Sequence, residues 1–284
     1  MMPRPLVSVV CLCYNHAAFV EESILSVIGQ TYPSVELIVV DDASTDHSVE
    51  VIAPLVEKHG HIKFMPLAGN IGNCAAFNKG FERSRGQYII DLAADDVLLP
   101  DRIERGVEAL EGAGNDYGVQ FSDAQLIDTE GNKIGLHSDT YPSATIPQGD
   151  IYKDVVARYF ISGPTMLVRR QVFETLNGYD EALAYEDFDF WARSSRLYKY
   201  LYIPQPLVKR RVLWHSMKSR QFVRGSDQLR STFAVCQKIN EMNNTPEEKQ
   251  ALAQRIHYEI KVCLRLLDFG LAIDYFRLLK RIRR

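Results

Sequence analysis

The chain has 284 residues, of which 46% are hydrophobic and 24% are charged, as in an ordinary globular protein. This length allows one large domain, or one domain with an appendage. The formal net charge of -3 leaves no basic excess for neutralising phosphates and argues against general nucleic-acid binding. The five cysteines do not form a disulfide framework and favour a reducing compartment such as the cytoplasm. We predict no signal peptide and no transmembrane helix, because no apolar run is long enough.

Short apolar runs alternate with stretches of helical periodicity through the first third of the chain. The predicted strands are Leu6–Cys13, Val35–Val40, Ile62–Pro66 and the first half of Gln87–Pro100. The predicted helices are Phe19–Gln30, Ser48–His59 and a third within Asn70–Arg83. Strands and helices that alternate at this spacing predict a parallel sheet with helices on both faces.

Polar and acidic residues stand at the ends of three predicted strands. They are Tyr14 and Asn15 after the first strand, Asp41 and Asp42 after the second, and Asp95 and Asp96 after the fourth. The ends of parallel strands meet at one edge of a sheet, where ligands bind. Paired carboxylates repel each other unless a cation or a hydrogen-bonding ligand lies between them, and Mg²⁺ and Mn²⁺ use such oxygen ligands. One pair alone also fits a solvated loop before a helix, whereas two pairs on one rim favour a ligand.

Beyond Asp101 the pattern is less regular. The predicted elements are a helix at Arg102–Leu110, a strand at Gly118–Ala124, a hairpin turn at Thr129–Asn132, a long loop at Leu136–Gly149, a strand at Ile161–Arg169 and a helix at Gln171–Leu176. They continue with a helix that opens at Tyr185–Trp191 and runs to Leu197, an edge strand within Lys199–Val208, and helices from Gly225 onward. We therefore expect a sheet-containing catalytic domain over residues 1–220 and a helical extension over residues 221–284.

Three stretches taken together resemble the family 2 glycosyltransferases. They are VSVVCLCYN, SVIGQTYPSVELIVVDDASTD, and an Asn-x-Gly turn ahead of YIIDLAADDVLLPDR. The resemblance implies a GT-A fold, which is α/β with a mostly parallel, Rossmann-like sheet. It also implies an inverting, metal-dependent hexosyltransferase. Such an enzyme moves a sugar from a nucleotide-sugar, here expected to be UDP-linked, to a hydroxyl of a glycan or polyprenyl-linked acceptor. The implied process is the synthesis of bacterial surface polysaccharide.

The resemblance also implies roles for the residues at the strand ends. Tyr14 and Asp42 would bind the base, with Asn15 and Asp41 close by. Asp95 would contact the ribose or the sugar, and Asp96 would bind Mn²⁺ or Mg²⁺ on the diphosphate. The chain departs from the family pattern at Ala93, where family members often have a further acid. It departs again near Phe77, where the family often has a basic residue.

The family places its catalytic base in a Glu-Asp pair at a helix start, and Asp187 matches that position. The reaction needs a carboxylate near the acceptor hydroxyl, free of the metal, to accept its proton. The alternative is that acids at a helix start only stabilise the helix dipole. The upstream motifs favour Asp187 as the base.

A basic segment follows the last predicted strand. Family members often have an arginine and a histidine here, ahead of a loop that closes over the diphosphate, and the matching candidates are Arg211, His215 and Lys218. Cations suit an anionic leaving group. The alternative is a basic, solvated loop without a role in donor binding.

Three other functions were weighed against single-sugar transfer. The Gln-x-x-Arg-Trp signature of processive family members is missing, so we predict the addition of one sugar or very few. A nucleotide-sugar-binding or scaffold protein without turnover stays an alternative, because Ala93 replaces an acid. A dehydrogenase is excluded, because the loop after the first strand has no Gly-x-Gly-x-x-Gly.

The last segment, Leu271–Arg284, has the pattern of an amphipathic helix. Its apolar face is Leu271, Tyr275, Leu278 and Ile282, and its basic residues are Arg277, Lys280, Arg281, Arg283 and Arg284. A basic amphipathic end favours binding to a membrane surface, which would place the protein on the inner face of the cell membrane. The alternatives are packing on its own domain or on a partner subunit of a homo-oligomer.

Overall fold

The computed structural model describes residues 4–141, 146–213 and 222–282. The strands are β1 (Val7–Cys13), β2 (Val35–Asp41), β3 (Lys63–Pro66), β4 (Tyr88–Ala93), β5 (Val97–Leu98), β6 (Tyr117–Ile127), β7 (Lys133–Leu136), β8 (Leu167–Arg169) and β9 (Lys199–Arg211). The helices are α1 (Val20–Ile28), α2 (Ser48–Lys58), α3 (Asn73–Arg83), α4 (Arg102–Ala113), α5 (Tyr152–Ala157), α6 (Arg170–Leu176), α7 (Asp187–Ser195), α8 (Asp227–Met242), α9 (Pro246–Arg265) and α10 (Phe269–Ile282). Together they form one sheet with helices on both faces and a helical C-terminal segment.

The first four strands form the parallel half of the sheet, in the order β3-β2-β1-β4. The side chains of β1 and β2 are mostly apolar and buried on both faces, as is usual for parallel strands. Cys13 at the end of β1 pairs with Asp41 at the end of β2, and Leu12 pairs with Ala93 at the end of β4. The predicted convergence of the three strand ends on one edge is therefore confirmed.

The second half of the sheet is mixed. β8 runs antiparallel to both β4 and β6, while β9 runs parallel to β6 and antiparallel to β5. β7 pairs with β6 through the predicted hairpin turn. The strand predicted within Lys199–Val208 forms and extends to Arg211, with β6 beside it, while the two-residue strand β5 pairs with it only at Val208 and Lys209. The register with β6 shifts where the two prolines of β9 lie, so that Ser122 faces Ile203 and Asp123 faces Pro206.

Two short elements were not predicted from the sequence. The helix α5 and the two-residue strand β5 are shorter than the window in which periodicity can be seen. The long loop predicted at Leu136–Gly149 begins at the end of β7 and contains a 3₁₀ turn at His137–Thr140. That turn is held by Asp123, whose carboxylate accepts hydrogen bonds from the backbone and hydroxyl of Ser138.

The helices cover the two faces of the sheet with different side chains. The helices α1, α2 and α4 pack aliphatic residues on one face. The helices α3, α6 and α7 pack aromatic residues on the other. There Phe77 stacks on Phe173 at 5.0 Å and on Tyr179 at 4.4 Å between ring centroids. The aromatic side fixes α7, the helix that begins at Asp187, against the sheet.

The C-terminal helices build a third core together with α5 and α7. The helix α9 begins with a capping box, in which the hydroxyl of Thr245 accepts the backbone N–H of Glu248. Tyr275, Leu278 and Ile282 of α10 are buried in this core. The apolar face on which the membrane prediction rested therefore packs on the protein itself. None of the helices in the described part of the chain has the length and apolar character that crossing a membrane requires.

Candidate active site

The loop after β1 presents an exposed aromatic ring at the sheet edge. Tyr14 keeps 42% of its surface exposed. The next residue, Asn15, has a left-handed backbone with φ +58°, which asparagine tolerates better than most residues. Its side-chain oxygen accepts the backbone N–H groups of Thr45 at 2.7 Å and Asp46 at 3.3 Å. Asn15 thus ties the loops after β1 and β2 together and leaves the Tyr14 ring free to stack on a ligand.

The two acids after β2 hold backbone loops. The carboxylate of Asp41 accepts hydrogen bonds from the N–H and hydroxyl of Ser44, at 2.9 and 2.6 Å. The carboxylate of Asp42 accepts the backbone N–H groups of Ile71 at 2.8 Å and Gly72 at 3.0 Å. Because each carboxylate oxygen has two lone pairs, Asp42 keeps acceptor capacity for a further donor. Asp42 thereby holds the Asn-x-Gly turn at the end of β2, and Asp41 holds the loop that follows this strand.

The two carboxylates after β4 belong to Asp95 and Asp96. Asp96 is buried, and one of its oxygens accepts the backbone N–H of Arg211 at 2.8 Å. Burial and the neighbouring charge of Asp95 raise the pKa of Asp96 well above its usual value. The ring of His16 lies on the other side of Asp95, with Nδ1 4.0 Å from its Oδ1. That buried Nδ1 has no hydrogen-bond partner among the described residues.

The donor set at this point suits a metal that is shared with a substrate. In the described part of the chain, no three histidine, cysteine, aspartate or glutamate side chains are grouped to hold a metal ion. Asp95 and Asp96 offer two adjacent carboxylates. Mg²⁺ and Mn²⁺ in phosphate-binding sites are commonly held by one or two carboxylates, with phosphate and water as the other ligands. The residues present therefore fit such an ion.

The guanidinium of Arg211 is already occupied within the protein. Its Nε donates to the backbone oxygen of Asp95, and its Nη1 donates to those of Asp128 and Thr129. Its Nη2 pairs with Glu22 at 2.7 Å, and the side chain is 2% exposed. This arrangement favours a role in bracing the Asp95–Asp96 loop over the predicted contact with the donor. The other two predicted cations, His215 and Lys218, lie outside the described residues.

The acid pair at the start of α7 lies beside the sheet edge and is linked to the loop after β2. Glu186 accepts a hydrogen bond from Asn73 Nδ2 at 2.5 Å. Asn73 directly follows the turn that Asp42 holds. Burial and the charge of Glu186 raise the pKa of Asp187, while the charge of Arg210 opposes that rise.

The positive charge of Arg210 acts on both acidic groups of the site. Its charge opposes the rise in pKa at Asp96 as well as at Asp187, so it lies within electrostatic reach of both carboxyls. Its Nη1 lies 3.4 Å from the hydroxyl of Ser162. The site therefore combines the strand-end acids, the carboxyl of Asp187 and one cation whose charge acts on both Asp96 and Asp187.

The sequence model of the glycosyl transferase family 2 matches residues 8–176, more than half of the chain. This chain belongs to that family. An uncharacterized glycosyltransferase of Haemophilus influenzae is 31% identical to this chain over 192 residues. The match covers 67% of this chain and 72% of that protein.

Two solved structures share its fold. TarS from S. aureus in complex with UDP-GlcNAc has a TM-score of 0.77 at 15% identity, over 98% of this chain and 82% of that one. The mannosyltransferase PcManGT from Pyrobaculum calidifontis, in complex with GDP-Man and Mn²⁺, has a TM-score of 0.69 at 18% identity, over 99% of this chain and 75% of that one. At these identities the likeness establishes the predicted GT-A fold.

A further acid, Asp91, was not predicted as part of the site. Asp91 lies inside β4 and accepts a hydrogen bond from the hydroxyl of Tyr179 at 3.1 Å. Burial, then the charge of Glu186, raise its pKa well above the usual value. Because side chains alternate along a strand, Asp91 is on the same face as Ala93, two residues earlier. The signal was an acid within the otherwise apolar run YIIDLA.

A glycine makes room for the Asp187 carboxylate. A Cβ added to Gly163 would lie 2.6 Å from Asp187 Oδ1, a distance that real Cβ atoms do not show. Gly163 belongs to a 3₁₀ turn that leads into β8. From the sequence this Gly-Pro pair indicates only a turn, because no neighbouring residue indicates the carboxylate that packs on it.

Proposed function

We propose that this transferase is an inverting, metal-dependent hexosyltransferase. It moves one sugar from a UDP-linked donor to a hydroxyl of a glycan or polyprenyl-linked acceptor, in the synthesis of bacterial surface polysaccharide. The observation that carries the proposal is the connection from Asp42 through the Asn-x-Gly turn and Asn73 to Glu186 and Asp187. It joins the strand-end edge that carries Tyr14 to a carboxylate suited to act as a base.

The donor side of the proposal rests on the strand ends. The exposed ring of Tyr14 stacks on the uracil base, and Asp42 accepts a base N–H with the lone pairs that the turn leaves free. Asn15 and Asp41 hold the loops that shape this pocket. Asp95, which is the less buried of its pair, contacts the ribose or the sugar. The nucleotide-sugars in TarS and PcManGT support a donor of this chemical class.

The diphosphate lies against Asp96 and Arg210 in this proposal. Asp96 would hold Mn²⁺ or Mg²⁺, which would supply positive charge to the leaving diphosphate. Arg210 is a fixed cation within reach of the same carboxyl. It therefore stabilises the charge that develops on the leaving group from the protein side. In this respect Arg210 takes the part that the sequence analysis gave to Arg211.

The acceptor side depends on Asp187. Its carboxylate takes the proton from the acceptor hydroxyl as the oxygen attacks the anomeric carbon. Attack comes from the face opposite the diphosphate, which leaves with the bonding electrons, so the anomeric configuration inverts. Asn73 fixes Glu186 by a hydrogen bond, and this keeps the neighbouring Asp187 at the start of α7.

Calorimetric titration with UDP, with and without Mn²⁺, tests the metal site. We expect the wild-type protein to bind UDP at least about ten-fold more tightly with Mn²⁺, and Asp96→Asn to lose that gain because a metal ligand is gone. Asp116→Asn, which removes an exposed acid far along the sheet, should behave as wild type. Equal UDP affinity with and without Mn²⁺ in the wild type would contradict the metal role of Asp96.

The alternative without turnover is motivated by Ala93, which replaces an acid. It predicts UDP binding in the titration but no release of sugar from a panel of nucleotide-sugars. Slow hydrolysis of one donor, dependent on Mn²⁺ or Mg²⁺, would exclude that alternative. The same panel identifies the sugar that the enzyme transfers.

We expect Gly163→Ala to lower the rate of transfer and to leave the donor KM nearly unchanged. The added methyl group has to displace the Asp187 carboxylate, and a displacement of about 1 Å at a catalytic group can cost roughly a hundred-fold in rate. Steady-state kinetics measure both constants. Gly69→Ala is the matched control, since a Cβ there has no neighbour within 4 Å. An unchanged kcat for Gly163→Ala would show that Asp187 need not occupy its present position.

A further inference from the structure

A second apolar stripe runs along α10, on the side away from the core. Phe269, Ile273 and Phe276 are 57%, 51% and 47% exposed. Their spacing of four and three residues places them in one line on a helix, and Lys280 continues that line. This stripe does not overlap the buried face that contains Tyr275 and Leu278. The helix is therefore apolar on two sides, and only one of them has a partner within the described chain.

The stripe continues around the turn that joins α9 to α10. Leu264 at the end of α9 and Leu267 in the turn are 43% and 56% exposed. Leu267 has a left-handed backbone with φ +57°, which is rare for a leucine and places an apolar side chain at the tip of the helical hairpin. Leu264, Leu267, Phe269, Ile273 and Phe276 are named here the outer face.

Positive charge surrounds the outer face. Residues 264–284 include six arginines and lysines and two acids, Asp268 and Asp274, in a chain whose formal net charge is -3. Arg277, Lys280 and Arg281 are exposed on α10 itself. The charge of the chain is thus distributed unevenly, with a basic end beside exposed aromatic and aliphatic side chains.

We propose that the outer face docks on an anionic lipid surface. Exposed aliphatic and aromatic side chains flanked by arginine and lysine match the acyl boundary and the charged headgroups of such a surface. A second copy of the chain is a poorer match, because stable protein interfaces bury large areas and place few lysines at their centre. Lys280 lies in line with the stripe, where a headgroup phosphate satisfies it.

The outer face is connected to α7 through the C-terminal core. The inner face of α10 packs in the same core as Phe188, which follows Asp187 in α7. Arg255 of α9 stacks on the Phe188 ring at 5.0 Å. A lipid surface bound at the outer face therefore has a fixed position relative to the start of α7. This inference is independent of the proposed sugar transfer and does not require it.

Co-sedimentation of the full chain with vesicles tests the proposal. We expect binding to phosphatidylcholine vesicles that contain phosphatidylglycerol, weak binding to phosphatidylcholine alone, and release at high salt. Ile273→Ser combined with Phe276→Ser should weaken binding about ten-fold or more, because two large apolar side chains no longer leave water. Ile134→Ser, at a 56% exposed position in β7, is the matched control and should bind as wild type.

Two results would overturn the proposal. One is equal sedimentation of the wild type and the double variant with anionic vesicles. The other is a concentration-dependent dimer in light scattering that the double variant abolishes, which would assign the outer face to a second copy. Circular dichroism and thermal melting check that the double variant folds, and Lys280→Gln combined with Arg281→Gln gives a second, charge-only test of lipid binding.

Discussion

Replacing Asp187 with asparagine should abolish sugar transfer while leaving donor binding nearly intact. The amide has almost the same shape, so it fits beside Gly163, but it cannot accept the proton of the acceptor hydroxyl. Loss of a general base lowers rates by about 10² to 10⁴-fold. Initial rates with the donor found in the panel measure transfer, and titration with UDP measures donor binding.

The pH dependence of the wild type gives an independent test of the same role. Burial and the charge of Glu186 raise the pKa of Asp187, so its carboxylate takes up a proton at a higher pH than an ordinary aspartate. The protonated form cannot act as a base. Transfer should therefore fall on acidification while the pH is still well above about 4, the ordinary aspartate pKa.

Glu174→Gln, which removes an exposed acid on α6, serves as the control and should retain full activity and the same pH profile. If Asp187→Asn transfers sugar at the wild-type rate, the carboxylate does not act as a base and only stabilises the start of α7. Loss of UDP binding in that variant would instead show that the substitution disturbs the donor site, through Asn73 and the turn held by Asp42.

Sequence alone predicted that the strand-end acids share one edge of the sheet, because the signals for this are local. Each pair of acids directly follows an apolar run, and the direction of parallel strands then brings Asp42 and Asp96 to the same edge. Asp187 was proposed as the base by similar logic, as an acid at a helix start in a family context. Such features need only a few neighbouring residues to be recognised.

The remaining parts of the site depend on contacts between distant segments. The backbone of Arg211 meets Asp96, 115 residues earlier, and its side chain meets Glu22, 189 residues earlier. The basic run around it indicated a cation, but only the fold shows that the charge of Arg210 acts on Asp96 and Asp187. Gly163 and Asp91 were missed for the same reason, since packing against Asp187 and Tyr179 decides their roles.

The C-terminal segment shows a different limit. The period of apolar residues in Leu271–Arg284 correctly predicted a helix with a buried face. Periodicity does not specify what covers that face, and here it is the protein's own core rather than a membrane. The division at residue 220 likewise stays a prediction, since α8 and α9 share that core with α5 and α7.

Replacing Arg255 with methionine should destabilise the protein more than any surface change. Arg255 is 3% exposed, pairs with the buried Glu259 at 3.4 Å and stacks on Tyr159 at 3.8 Å. Its removal leaves the Glu259 carboxylate buried without a cation, which costs roughly 3 to 5 kcal/mol in the free energy of unfolding. Urea denaturation measures that loss. Arg105→Met, which breaks an exposed pair with Asp101, should cost about 0.5 kcal/mol or less.

Two further measurements separate the charge from the packing. Burial raises the pKa of Glu259 and Arg255 opposes that rise, so Arg255→Met should raise this pKa further. A carboxyl whose pKa is higher folded than unfolded adds stability below its unfolded value and loses it as pH rises through its folded value. The variant should therefore be least stable at neutral pH and recover on acidification. Replacing Arg255 and Glu259 together with methionine removes the unpaired charge and should restore most of the lost stability.

The shape of the unfolding curve then bears on how the C-terminal helices relate to the sheet. Arg255 also donates to the backbone oxygen of Val156 in α5, so the lost contacts join α9 to the rest of the chain. A single, shifted transition in Arg255→Met means that residues 221–284 unfold together with the sheet domain. Two separated transitions would mean that the helices form a unit of their own, as the division at residue 220 requires. A loss no larger than that of Arg105→Met would show that the buried pair does not hold these helices in place.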